Sequence, residues 1–190
     1  MDTPDPRVAP FVEAARGYVR RAIGLELDES IESLAFVDHY VSTLRKETQT
    51  KLEPDVLRLT AAAVGAYFGQ VLIGAFGGGW VIARAAEPTP ELWQLELDPP
   101  SVSLYPVALA AAALAGEAVD GYDDRITPAL GDVAALQQLL EGKSPIDAAY
   151  FYSLTGRFEL VEEMRELLAE IDRRRQAGRP EEPPDPEEMN

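Results

Sequence analysis

The densest carboxylates inside the chain are Asp120, Asp123 and Asp124, with Glu117 just upstream. Hard cations such as calcium and magnesium take oxygen ligands, so these acids are the candidate divalent-cation site. Their spacing matches no EF-hand loop, which sets acids at alternate positions ahead of its glycine and a distant glutamate. A solvated acidic loop is the default reading, and a general acid and base pair is equally unsupported. His39 is the single histidine and hence the one ordinary base that titrates near neutrality. If Leu34, Val37, Val41 and Leu44 face the core, His39 lies across its helix in water, and no GxSxG elbow supplies a serine nucleophile. The glycines at 77, 78 and 79 resemble a phosphate loop in composition alone. Such loops run from strand to helix, whereas here the helix comes first. No cofactor is expected.

The aromatic residues suggest a different chemistry. Tyr150, Phe151 and Tyr152 stand in a row on a short helix, which cannot bury a ring on every side. Trp93 alternates with polar neighbours on a strand, and Trp80 and Tyr105 fall near it on the same sheet. Exposed rings are favoured at binding surfaces, so Tyr150, Phe151, Tyr152 and Trp93 are the interaction candidates.

The elements that must position these groups are organised around the run from Leu59 to Ala83, which carries no charge. Pro54 and Asp55 suit the first turn of a helix there. From Pro54 to Phe76 the apolar residues go round the whole cylinder, as in a helix buried on most sides, and Gly77 stops it. Trp80 to Ile82, Leu92 to Leu97 and Ser101 to Tyr105 read as an antiparallel meander of about three strands.

Before this core, Pro10 opens an amphipathic helix that ends near Gly24. Ser30 caps a second helix reaching about Lys46. After it, Pro106 starts an alanine-rich helix running through Val119. Asp132 caps a short helix with Val133, Leu136, Leu139 and Leu140. Ser144, Pro145 and Asp147 start a helix through Tyr150 and Leu154, broken at Gly156. A last helix carries its stripe at Leu160, Met164, Leu167, Leu168 and Ile171. The expectation is an α+β fold: one helix-rich domain over residues 10–176 with a small sheet on the central helix. Residues 1–9 form a flexible leader and 177–190 a disordered acidic, proline-rich tail.

The totals exclude several classes. Seventeen basic against 33 acidic residues leave a net charge of −16, which repels nucleic-acid phosphates and anionic lipid. With no cysteine, disulfides, thiolate metal sites and cysteine nucleophiles are ruled out. The start, MDTPDPRVAP, lacks the pattern of a signal peptide, so the expected location is cytoplasmic. The uncharged run is long enough to span a bilayer. Its glycines and alanines make it weakly hydrophobic and no basic cluster orients it, so a soluble core helix is expected. Gly65 and Gly69 form a small-xxx-small pair, suited to a homodimer or, more simply, to close packing within the chain.

The segment AYFGQVLIGAFGGGWV, Ala66 to Val81, resembles a family of uncharacterised bacterial proteins in which a helix of the type AYLGEVL runs into GGxW and a strand. Tyr67, Gly69, Gly78 and Trp80 carry the likeness, while Gln70 stands where such proteins often have glutamate. The resemblance implies a bacterial origin and a helix-to-strand passage, and some similar small proteins look like immunity or accessory proteins. The sequence thus points to a non-enzymatic protein-binding module with a basic partner. The alternative is a divalent-cation-dependent enzyme or small-ligand binder using the 117–124 carboxylates.

Overall fold

In the computed structural model of the chain, residues 5–47, 52–83, 89–128 and 147–177 are described. The helix expected after Asp132 and the tail beyond Gly178 lie outside them. The fold is α+β: helices built around one long core helix, with a small antiparallel sheet at its end.

The core helix is α3, Pro54–Phe76, and every residue from Thr60 to Leu72 in it is buried. The pattern of apolar residues all round the cylinder has this physical outcome: no face is left to water. Helices α1 (Ala9–Ile23) and α4 (Pro106–Ala115) pack against it. Gly65 sits where α4 begins, and a Cβ there would meet the Val107 Cα at 2.5 Å and the Pro106 carbonyl oxygen at 2.7 Å. A Cβ on Gly69 would run into the Trp80 ring. The small-residue pair therefore serves packing inside the chain, and this face is not open to a second copy.

Helix α2 (Ser33–Glu47) touches α1 and α4, and its first N–H donates to the Ser30 hydroxyl as expected. Residues 5 to 8, which the sequence assigns to a loose leader, are tied in: Val8 is fully buried, and Arg7 pairs with Asp5 and donates to the Ile82 carbonyl. Helix α4 stops at Ala115, short of Val119, because Gly116 turns left-handed at φ 74° and returns its N–H to Ala112.

Among the described residues the sheet has four strands in sequential order, β1 (Gly79–Val81), β2 (Gln94–Glu96), β3 (Val102–Leu104) and β4 (Ile126–Pro128), all antiparallel. The expected count of about three is corrected by β4, whose Ile-Thr-Pro is too short to show alternation. Its register sets Ile126 beside Leu104, which neighbours Leu95, which neighbours Trp80. This row forms the inner face. Gln94, Glu96, Ser103 and Thr127 face outward, and Pro128 sits at an edge, where a missing N–H is tolerated.

The C-terminal part departs most from expectation. A short α5, Ala148–Phe151, is followed after Ser153 by the long α6, Leu154–Ala177. Gly156 does not break the helix but lies inside it. A Cβ there would collide with the Tyr150 carbonyl oxygen, so the glycine lets α5 fold back tightly on α6. The buried stripe of α6 is Leu154, Phe158, Val161, Met164, Leu168 and Ile171. Leu160 and Leu167, expected in it, are only half-buried.

Candidate functional site

Two of the sequence candidates meet at a residue that the sequence did not single out. Arg157 lies on the buried side of α6, one turn from Leu154 and Val161, and its side chain is only 3 % exposed. Its Nη2 donates to Asp124 Oδ2 at 2.9 Å, and its guanidinium lies 3.9 Å from the centre of the Phe151 ring and 5.4 Å from that of Tyr152. The acidic loop and the aromatic helix are thus joined through one buried cation. Desolvation pushes the Arg157 pKa down and the Asp124 carboxylate pushes it back up. An ion pair, two ring faces and burial together hold the guanidinium. Its Nε has no hydrogen-bond partner among the described residues.

The geometry decides what the acidic loop can do. Asp123 accepts from Arg125 through both carboxylate oxygens, at 2.8 and 2.7 Å, and this pairing lowers its pKa. Asp124 is committed to Arg157, and Asp120 is exposed. Among the described residues no group of three or more His, Asp and Glu side chains is arranged to hold a metal ion. Asp120, Asp123 and Asp124 do not converge: two of them face arginines.

The aromatic row divides by position. Asp147 caps α5, accepting from the N–H groups of Ala149 and Tyr150. Phe151 and Tyr152 pack edge to face at 5.1 Å and cover Arg157. Tyr150 is 42 % exposed. Hydrogen bonding to the Glu159 carboxylate on the next helix, followed by burial and the charges of Glu159 and Asp38, pushes the pKa of its phenol up to about 12. Of the four interaction candidates Tyr150 is the exposed one, Phe151 and Tyr152 are half-buried, and Trp93 is buried. Trp93 is corrected most clearly, since it is 2 % exposed and sits edge-on to Phe11 at 5.2 Å and Trp80 at 6.3 Å, within the core.

His39 is exposed on α2, as its spacing predicts. Its neighbour Asp38, which the sequence reading passed over, faces inward and binds the first turn of α6. Beyond Tyr150, α6 carries Glu159, Glu162 and Glu166, all exposed and opposite its buried stripe. The spacing of three and four residues stacks them on one face. This face could have been read from the sequence, because it is the complement of the apolar stripe.

A second polar node lies deeper. The Tyr67 hydroxyl, on the fully buried face of α3, accepts the Glu29 N–H at 2.8 Å and lies 2.5 Å from the Ser33 hydroxyl. Ser33 donates its one proton to the Ser30 carbonyl, so Tyr67 is the donor to Ser33. Every member is satisfied, and the node closes the loop between α1 and α2. Its role is architectural.

Among the described residues one helix, α3, is long and apolar enough to cross a membrane, and 72 % of its most apolar window is buried inside the fold. No protein-family model matches the chain, and no curated protein or solved structure matches it.

Proposed function

We propose that the protein is a non-enzymatic interaction module, of the accessory, regulatory or immunity kind, which docks a basic protein partner. The observation that carries this reading is the placement of Tyr150, an exposed ring at the head of the exposed Glu159, Glu162 and Glu166 face, with the Glu159 carboxylate raising the pKa of its phenol. Tyrosine supplies a large contact area with little rotamer entropy to lose, and is enriched among residues that dominate interface energetics. A row of carboxylates beside it attracts a cationic partner and orients its approach. The net charge of −16 extends that attraction beyond the contact itself.

The divalent-cation reading gains nothing from the geometry, because Asp123 and Asp124 are already paired with arginines. The test is affinity capture from the native host at low and moderate salt, with wild type run beside Tyr150→Ala and the double variant Glu159→Lys/Glu162→Lys. A stoichiometric basic partner held by wild type, weakened by salt and lost from both variants is expected. Capture of no such partner, or equal capture by all three proteins, overturns the reading.

A further inference from the structure

We infer that the Asp124–Arg157 pair is a latch through which the 117–124 loop sets whether α5, and with it Tyr150, is held in its docking position. The inference rests on the interaction reading of Tyr150 and adds a means of regulating it. Helix α5 has four residues and none of them is buried. A helix of that length has no stability of its own, so external contacts must hold it.

Those contacts lead to Arg157. Phe151 packs on the guanidinium face at 3.9 Å, and Tyr152 lies on the same cation. The remaining ties are local: the Asp147 cap, the Ser153 hydroxyl donating to the Tyr150 carbonyl, and the influence of Glu159 on the Tyr150 phenol. Arg157 is in turn held by Asp124, a loop residue distant in sequence. Asp123 is paired with Arg125, Asp38 is engaged with the Leu154 and Thr155 N–H groups, and Glu159 lies on the outer face of α6. Asp124 is thus the carboxylate seen on the guanidinium.

Removing one partner of a buried pair leaves an uncompensated charge, which is far costlier than removing both. Without Asp124, the guanidinium must reach water, and it does so by leaving the rings of α5. Any event that draws Asp124 away, such as partner binding at the loop, would release Tyr150 by the same route. The coupling runs through one planar cation, with the Asp124 carboxylate hydrogen-bonded at its edge and the Phe151 ring stacked on its face.

Amide hydrogen exchange on the full chain, without a partner, tests the latch independently of whether a partner exists. In Asp124→Asn the amides of Ala149 to Ser153 should exchange about tenfold faster or more, with those of α3 unchanged. The double variant Asp124→Leu/Arg157→Met, which removes the charge along with its partner, should return α5 to within a few-fold of wild type. A merely structural role for Asp124 predicts no such rescue. Unchanged α5 exchange in Asp124→Asn, equal acceleration in α3, or a double variant as loose as the single one would each overturn the inference.

Discussion

The side chain of Asp38, on α2, accepts hydrogen bonds from the Leu154 N–H at 2.7 Å, the Thr155 N–H at 3.0 Å and the Thr155 hydroxyl at 2.6 Å. The first turn of a helix has N–H groups without intrahelical partners, and a carboxylate there also meets the positive end of the macrodipole. Ser153 supplies the usual local cap, its hydroxyl accepting from the Gly156 N–H at 2.9 Å, and Asp38 adds a second one from another helix. The contact therefore fixes α6 to α2 as well as capping it.

Asp38→Ala should lower stability by about 1–3 kcal/mol, the cost of a cap plus hydroxyl and amide groups left without an acceptor. Asp38→Asn, which keeps one acceptor, should lose less. Urea unfolding measures both. A loss below about 0.5 kcal/mol in the alanine variant would mean that water replaces the carboxylate and that the cap does not fasten α6.

The glycines of α3 should respond in opposite directions to the same substitution. At Gly65 an added Cβ would lie 2.5 Å from the Val107 Cα, and backbone cannot turn aside as a flexible side chain can. Gly65→Ala should cost about 1–3 kcal/mol or prevent folding. Gly74 is exposed in the last turns of the same helix, with nothing within 4 Å of an added Cβ. Gly74→Ala should raise stability by about 0.4–1 kcal/mol, through the lower entropy of the unfolded chain. Equal effects at the two sites, read from thermal melts, would contradict the close approach of α3 and α4.

These contrasts show what was legible in the sequence. Helix α3 was legible end to end because Pro54, a long apolar run and Gly77 all give the same message. The alternation of Trp93, Leu95 and Leu97 placed β2 correctly. Gly156 was misread because glycine signals a break by its backbone freedom, whereas here it is needed for the space it leaves beneath the Tyr150 carbonyl. Arg157 was missed because a charge on an apolar stripe reads as an interruption, and its partners Asp124 and Phe151 come from separate elements. The role of Asp38 depends on a contact across 116 residues of chain, which no local pattern encodes.

Tyr67→Phe should destabilise the protein by about 1–3 kcal/mol although it removes a single oxygen. That oxygen accepts the Glu29 N–H and donates to Ser33, and both groups lie in or beside the core. Glu29 also holds a left-handed backbone at φ 63°, which a non-glycine residue adopts only under constraint. Loss of the hydroxyl should therefore loosen the turn before α2 first, seen as faster amide exchange at Glu29 and Ser30. A Phe variant as stable as wild type would show that the node does not hold this turn.

At alkaline pH the pairing of Tyr150 with Glu159 makes a prediction of definite sign. Hydrogen bonding to the Glu159 carboxylate favours the neutral phenol and ionisation would bring two negative charges together, so its pKa rises to about 12. An unfolded tyrosine ionises near 10. The folded state therefore holds the proton more tightly than the unfolded state. The stability this contributes is fully present below about pH 10 and is lost as pH rises towards 12. Its size is small because the ring is well exposed to solvent. The titration itself is the better measurement: with the Tyr150 ring labelled for NMR, its midpoint should lie clearly above that of an exposed tyrosine peptide. In Glu159→Gln, which removes the charge and keeps a hydrogen-bond acceptor, the midpoint should move down towards 10. No movement would mean that Glu159 does not hold the phenol, and that the ring at the head of the acidic face owes its position to α5 alone.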